Sequence, residues 1–249
     1  MRIASLLILL ILVISCKPEV SVTQVAEPAS DQQILMPDPL LPDSILNVGF
    51  LVVDGVYNSE LVAPMDILHH TAFHTEKGMK VFTVAPSLDP ITTFEGLKIT
   101  PDYAFASDEL PTIDVLVVAS AEHSMDTDLE NEELINFVRN TGENASYVMS
   151  LCDGAFVLAK AGLVDGKEST TFPSDIERYR QTYPQLTVHE DVSFVHDGKL
   201  ITSVGGAKSY DPALYLSELL YGNKAAKGIG RGLVIDWDIN DIDFVKVEK

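Results

Sequence analysis

Basic residues are scarce in this sequence: 17 Lys and Arg stand against 37 Asp and Glu, which gives a formal net charge of −20. An acidic surface of this kind repels the phosphates of nucleic acids, and no basic stripe along the chain offsets it. We therefore expect no nucleic-acid partner and no DNA-binding role. The net charge bears on solubility and says nothing about the chemistry of a site.

The apolar run at residues 5–14 is too short to span a bilayer comfortably. It follows the positive charge of Arg2 and precedes the small residue Ser15, an order that is typical of a secretory signal peptide. Residues 13–16, Val-Ile-Ser-Cys, resemble the bacterial lipobox, in which the cysteine is acylated and becomes the new N-terminus. We therefore expect residues 1–16 to be a lipoprotein signal peptide. An ordinary signal peptide with a chance cysteine and an uncleaved anchor are the alternatives.

The lipobox resemblance implies an exported protein that is anchored to the cell envelope through lipid on Cys16, so that the membrane is a partner. Lys17 follows, with no aspartate at the position that retains lipoproteins at the inner membrane. This points to the outer membrane, on its periplasmic side or at the surface, if the cell has one. Lipidation of Cys16 would leave Cys152 without a disulfide partner, because these are the only two cysteines. A lone thiol in an oxidising compartment is expected to be either buried or used.

The remaining chain divides into three parts. Residues 17–43 carry five prolines and no steady apolar period, which predicts a flexible tether. Residues 44–222 are long enough for one domain with a sizeable core. Residues 223–249 follow as a C-terminal extension that packs on this domain, with a helical segment at 225–232 and an added strand at 233–237.

Strand-length apolar runs alternate with segments of helical periodicity. The runs lie at 45–53, 80–86, 115–119 and 146–151, and the helical segments at 61–74, 131–140, 153–161 and 212–222. This alternation predicts an α/β fold, with a mostly parallel sheet covered by helices on both faces in a three-layer, flavodoxin-like sandwich. Residues 187–195 and 199–204 indicate a hairpin about Gly198.

Three loops follow buried strands and should converge, because ligands of such sheets bind outside the carboxyl ends of the strands. These loops contain residues 54–60, residues 120–123 and Cys152. The segment Ser-Leu-Cys-Asp-Gly at 150–154 has the form of a nucleophile elbow, a tight and strained turn between a strand and a helix. The helix that follows directs its N–H groups and positive dipole end at the sulfur, which predicts a lowered pKa for Cys152.

The segment SLCDGAFVLAKAGLVDGKESTTFP is similar to the nucleophile-elbow region of the ThiJ/PfpI superfamily, within the class I glutamine amidotransferase-like folds. VGFLVVDGVYNSELVAPMDIL is similar to the opening strand, loop and helix of one branch of it. That branch contains the isocyanide hydratases and the sensor domains fused to AraC-type regulators. The resemblance covers residues 45–222 and implies that Glu60 is the carboxyl group beside Cys152. A carboxyl group forced close to a thiolate is pushed to its protonated form.

Several positions depart from the pattern of these relatives. Phe172 stands where many have a histidine, and Asp153 follows the cysteine where peptidase-like members have one. Ser120 and Ala121 replace a Pro-Gly-Gly turn that supplies an oxyanion-binding N–H. His123, in the same loop, could serve as a base, although a loop histidine is more often solvated. A cysteine–histidine triad is therefore unsupported at its usual positions.

These residues lead to three functional hypotheses. The first is a thiol-dependent hydratase or lyase that acts on a small electrophile, such as an isocyanide or aldehyde. In it Cys152 attacks, Glu60 supplies a proton, and backbone N–H groups near Asp153 and Ser120 or Ala121 steady the developing charge. The second is a non-catalytic lipoprotein that binds a ligand or senses oxidants through Cys152. The third is a hydrolase or amidase that uses Cys152 with His123.

The partner of the site is expected to be a small molecule, and no cofactor is implied. His70 and His74 stand four residues apart on one helix, a spacing that can hold a metal ion. That helix offers no third ligand, so no metal site is expected. Relatives commonly pair, so a homodimer is one expectation, although no sequence feature identifies its interface.

Overall fold

The computed structural model describes Ile34 and residues 36–248. The predicted signal peptide, its lipidation residue Cys16 and most of the predicted tether lie outside the described residues. Within the described part of the chain, no helix is long and apolar enough to cross a membrane.

The described chain folds into strands and helices that alternate along most of its length. The strands are β1 (Asn47–Leu51), β2 (Lys80–Ala85), β3 (Ile91–Thr92), β4 (Lys98–Ile99), β5 (Tyr103–Ala104), β6 (Val115–Val118), β7 (Tyr147–Leu151), β8 (Glu168–Ser169), β9 (Thr187–Val188), β10 (Phe194–Asp197), β11 (Leu200–Ser203) and β12 (Phe244–Val247). The α-helices are α1 (Asn58–His70), α2 (Thr127–Glu130), α3 (Glu132–Asn144), α4 (Gly154–Lys160), α5 (Ile176–Thr182), α6 (Tyr210–Tyr221) and α7 (Asn223–Gly232).

The central sheet has the strand order β12-β10-β11-β7-β6-β1-β2-β5. Its neighbouring strands are parallel except for β10 and β11, which form the antiparallel hairpin expected about Gly198. Apolar residues of α1, α6 and α7 pack on one face, and those of α3, α4 and α5 pack on the other. The predicted α/β sandwich with a mostly parallel sheet is therefore confirmed. Continuous apolar strands such as β6 require cover on both faces.

The first helix and the C-terminal extension differ from their predicted positions. Helix α1 begins at Asn58, three residues earlier than predicted, which places Glu60 in its first turn. Gly222, at φ +85°, separates α6 from α7. The added strand is β12 and not residues 233–237, because β12 pairs with the open edge of β10. Before it, the Trp237 indole N–H donates to the buried Glu218 carboxylate at 2.6 Å.

The end of the predicted tether is bound to the domain. The N–H groups of Leu40 and Leu41 donate to the carbonyl oxygens of Leu219 and Leu220, at 3.2 and 2.9 Å. These carbonyls lie in the last turn of α6, where they have no partner within the helix. The proline-rich composition that predicts a flexible tether does not reveal these open acceptors on a distant helix.

Candidate active site

Cys152 lies at the turn between β7 and α4 with its backbone at φ +53°, a conformation that non-glycine residues rarely adopt. Its N–H donates to the Ser203 carbonyl oxygen at 2.9 Å. Two glycines leave room for the turn. A Cβ on Gly154 would lie 2.2 Å from the Val118 carbonyl oxygen, and one on Gly205 would lie 2.5 Å from the Cys152 Cβ. The structure thus has the tight strand-to-helix turn expected from residues 150–154.

Glu60 reaches the same place from the first turn of α1. One carboxylate oxygen, Oε2, accepts a hydrogen bond from the Ser120 N–H at 3.1 Å, and Oε1 accepts one from the Gly206 N–H at 3.3 Å. The carboxyl group also interacts with the Cys152 thiol, and each group changes the proton affinity of the other. Glu60 is only 4% exposed and Cys152 only 5%. The structure therefore brings together the two residues that the family resemblance paired.

Burial is the largest of the effects that raise the pKa of the Glu60 carboxyl group and of the Cys152 thiol. It raises the pKa of Glu60 from 4.5 to about 7, although hydrogen bonds from Cys152, Gly206 and Ser120 act in the opposite direction. Burial also raises the pKa of the Cys152 thiol, and the carboxyl groups of Glu60 and Asp153 raise it further. The lowered cysteine pKa expected from the elbow is therefore wrong for this site. The N–H of Asp153 does favour the thiolate, but this effect is smaller than burial beside two acids.

Asp153 also contacts the Cys152 sulfur. Its Oδ2 lies 3.7 Å from the Cys152 Sγ, and its side chain makes no capping hydrogen bond to α4. The hydroxyl of Thr171 lies 3.1 Å from both Asp153 Oδ1 and the Cys152 carbonyl oxygen. Burial raises the pKa of Asp153 to about 6, and the charge of Asp175 adds to this. Asp153 thus belongs to the site itself.

The loop after β6 positions Glu60 and leaves no free oxyanion donor at the expected residues. The N–H of Ser120 is used by Glu60, and that of Ala121 donates to the Ser124 hydroxyl at 2.8 Å. In this structure neither N–H group is free to steady a developing charge, so that role stays a prediction. The Ser120 hydroxyl is buried without a hydrogen-bond partner.

His123 and Phe172 lie away from the sulfur. The His123 ring is half-exposed, with Nδ1 3.3 Å from the Asp126 carboxylate. It borders a separate cavity of about 380 Å³ with Asp54 and Asp128, and Cys152 is not among the residues that line it. Phe172 is 39% exposed at the start of the turn that leads into α5. It is the preceding residue, Thr171, that reaches the site, so the expected pocket roles of His123 and Phe172 find no support in these contacts.

Tyr57 is a site residue that the sequence reasoning missed. Its N–H donates to the Ser120 carbonyl oxygen at 3.1 Å, and its ring packs on Phe94 with 4.7 Å between the ring centroids. Burial raises its pKa, and the nearby charges of Cys152 and Glu60 raise it further. Tyr57 is therefore near enough to Cys152 and Glu60 for their charges to act on its phenol. The only signal for it was an aromatic residue in the loop after the first strand.

A second cavity, of about 400 Å³, is lined in part by Thr171, whereas Cys152, Glu60 and Asp153 are not among its lining residues. Its other lining residues include Val204, Ser193, Lys208 and Asp243. Among the described residues, no group of three or more His, Cys, Asp or Glu side chains could hold a metal ion. His70, considered above for such a role, lies 3.2 Å from the Asp66 carboxylate through Nδ1.

The family model described as the DJ-1/PfpI family matches residues 47–219. The isonitrile hydratase of Pseudomonas putida is 31% identical over 183 residues, which cover 73% of this chain and 75% of that protein. The transcriptional regulator CdhR of Pseudomonas aeruginosa is 29% identical over 59% of this chain and 42% of its own length. Among solved structures, a ThiJ/PfpI family protein from Pseudomonas syringae superposes with a TM-score of 0.68 at 25% identity, over 84% of this chain and 85% of that one. The fold, the strand-to-helix turn at Cys152 and these matches together show that the chain belongs to the DJ-1/PfpI family.

Proposed function

We propose that this protein is a thiol-dependent hydratase that acts on a small electrophile of the isocyanide type, with an aldehyde-like substrate as the nearest variant. The observation that carries the proposal is the pairing of the Cys152 sulfur with Glu60, a buried acid whose pKa of about 7 leaves it partly protonated at neutral pH. A nucleophile and a proton donor are the two groups that hydration of an isocyanide requires. Similarity to an isonitrile hydratase supports the same reaction class.

The chemistry is the addition of water to R–N≡C to give the formamide R–NH–CHO. The sulfur of Cys152 forms a bond to the terminal carbon, and the carboxyl proton of Glu60 is transferred to that carbon. The resulting thioimidate, R–N=CH–S–Cys152, is then attacked by water. The carbon–sulfur bond breaks and the thiol is regenerated, so one water is consumed for each formamide released.

The test is to incubate the purified full chain with a simple alkyl isocyanide and to follow the formamide by NMR. Cys152→Ser should abolish turnover, because the hydroxyl is a far weaker nucleophile. Glu60→Gln should lower kcat/KM about 100-fold or more, which is the usual contribution of a general acid. Glu122→Gln is the matched control, since it neutralises an exposed acid of the adjacent loop. Turnover in both site variants at the wild-type rate would exclude the proposed roles of Cys152 and Glu60.

Ligand binding without turnover is the second candidate, and the 400 Å³ cavity beside Thr171 favours it. Similarity to a transcriptional regulator is consistent with a domain that reports on a small molecule. The buried thiol with a raised pKa argues against the oxidant-sensing form of this hypothesis, because peroxide reacts with the thiolate. Dilute peroxide should therefore leave Cys152 unmodified in mass spectrometry. Rapid and selective oxidation would favour the sensor instead.

We also propose export and lipid attachment at Cys16, on the sequence pattern of residues 1–16. A bacterial culture that expresses the gene with an alkyne-tagged fatty acid should label the protein in the membrane fraction. Cys16→Ser should remove the label, whereas Cys152→Ser should retain it. Label that persists in Cys16→Ser would exclude lipidation at this residue.

A further inference from the structure

The proposed reaction leaves one proton without a destination. The thiol of Cys152 donates a hydrogen bond to Asp153 Oδ2, and its raised pKa likewise favours the protonated form before attack. As the sulfur bonds to carbon, that proton must be transferred to a base. Glu60 is poorly suited to this role, because it must itself be protonated to supply the proton that is transferred to the carbon.

Asp153 is the acceptor that the geometry offers. Its Oδ2 accepts a hydrogen bond from the thiol at 3.7 Å, and the side chain is only 7% exposed. Thr171 fixes the other oxygen, Oδ1, through a hydroxyl at 3.1 Å. Because that hydroxyl also lies 3.1 Å from the Cys152 carbonyl oxygen, the carboxyl group is tied to the backbone of the turn that holds the sulfur.

The surroundings of Asp153 allow both of its protonation states near neutral pH. Burial and the Asp175 carboxylate raise its pKa to about 6, while Thr171, Cys152 and the Arg178 guanidinium act in the opposite direction. The charged and titratable groups that face it are Tyr57, Glu60, Cys152, Asp175 and Arg178. At neutral pH Asp153 is therefore mainly ionised, whereas the more basic Glu60 remains partly protonated.

We propose that Asp153 is a second catalytic carboxyl group, which accepts the Cys152 thiol proton while Glu60 protonates the substrate carbon. This assignment rests on the hydratase function proposed above. It gives two neighbouring carboxyl groups opposite tasks, one as the base and the other as the acid.

The proton count closes over the cycle. In the first step the thiol proton is transferred to Asp153, the sulfur–carbon bond forms, and the Glu60 proton is transferred to carbon. Water then attacks the thioimidate carbon, losing one proton to Glu60, while Asp153 returns its proton to the imine nitrogen. Finally the carbon–sulfur bond breaks as the hydroxyl becomes a carbonyl, and the hydroxyl proton returns to the sulfur through Asp153. Both carboxyl groups are restored.

The experiment compares two reactions of the same sulfur in the wild type and in Asp153→Asn. The first is hydration of an alkyl isocyanide. The second is alkylation of Cys152 by iodoacetamide across a pH series, read by mass spectrometry on the Cys152 peptide so that Cys16 does not interfere. Removing the negative charge should move the alkylation profile about one pH unit lower, because a like charge in contact raises a thiol pKa. Hydration should nevertheless fall about 100-fold, because the proton acceptor is lost.

This opposite response separates catalysis from structure. Parallel decreases in both reactions, or no change in either, would overturn the role of Asp153. If the wild type hydrates no isocyanide, the proposed function fails. An unchanged alkylation profile in Asp153→Asn would then also refute the action of this carboxylate on the sulfur. Glu122→Gln, which removes an exposed acid of the neighbouring loop, should leave both reactions unchanged.

A second variant covers the case in which Asp153→Asn does not fold. Thr171→Val keeps both carboxyl groups but removes the hydroxyl that lowers the pKa of Asp153. Since Asp153 must be ionised and Glu60 protonated, kcat/KM should follow a bell with its maximum between about pH 6 and about pH 7. Thr171→Val should shift the ascending limb to higher pH. An ascending limb that does not move would contradict the proposal.

Discussion

The buried Glu60 carboxyl group should make the stability of the protein depend on pH in a direction opposite to that of most acidic residues. Its pKa rises from 4.5 in the unfolded chain to about 7 in the folded one. Between these two values the folded state holds a proton that the unfolded state has lost. The free energy of unfolding must therefore fall as the pH rises through this window.

The magnitude follows from the size of the shift. Each pKa unit corresponds to about 1.4 kcal/mol, so a shift from 4.5 to about 7 amounts to about 3 kcal/mol. The contribution is fully present below pH 4.5 and is lost above pH 7. Glu60 is 4% exposed, so screening by solvent reduces this figure little. A loss of this size is a large part of the 5–15 kcal/mol that stabilises a typical domain.

Glu60→Gln isolates this effect, because the amide fills the same volume and does not titrate. Urea unfolding followed through the buried Trp237, the single tryptophan, gives the free energy of unfolding at each pH. The variant should gain about 3 kcal/mol relative to the wild type between pH 4.5 and pH 8, whatever constant offset the altered hydrogen bonds cause. Glu122→Gln should show no such gain. A constant difference between Glu60→Gln and wild type across this range would refute the raised pKa.

Three further predictions concern packing, the C-terminal extension and substrate charge. Gly205→Ala should destabilise the protein by about 3 kcal/mol and lower its thermal midpoint, because the new Cβ would lie 2.5 Å from that of Cys152 at a backbone φ of +76°. Trp237→Phe should cost about 2 kcal/mol in urea unfolding, because it removes a hydrogen bond to the buried Glu218 carboxylate. An isocyanide that carries a carboxylate should show a lower kcat/KM than a neutral one of equal size, because two buried acids flank the sulfur. Equal values at low ionic strength would contradict this.

Much of the fold could be predicted from local patterns. The apolar runs that became β1, β2, β6 and β7 are long enough and continuous enough to indicate strands buried on both faces. The elbow at Cys152 was predictable because a strand, a small-x-Cys-x-Gly segment and a helix follow one another directly. Glu60 could be paired with Cys152 only through the family resemblance, since its own surroundings indicate an exposed helix start.

The electrostatics of the site could not be predicted in this way. The elbow pattern predicts an activated thiolate, but the pKa of a group depends on everything packed around it. Glu60 lies 92 positions before the cysteine, and neither burial nor the approach of Asp153 Oδ2 can be inferred from spacing. The hydrogen bonds that the Ser120 and Ala121 N–H groups donate also depend on tertiary packing, because their acceptors lie on the side chains of Glu60 and Ser124.

The sequence by itself therefore determined the α/β layering, the strand-to-helix turn and the place of Cys152 at that turn, because each depends on periodicity or on adjacent residues. The tertiary structure alone decided how the Cys152 thiol is protonated. It buries the sulfur between two carboxyl groups, raises the pKa of all three, and places His123 in a different cavity. The physical reason is that the free-energy cost of ionising a side chain depends on its burial and on groups that are distant in the sequence. No local sequence pattern contains this information.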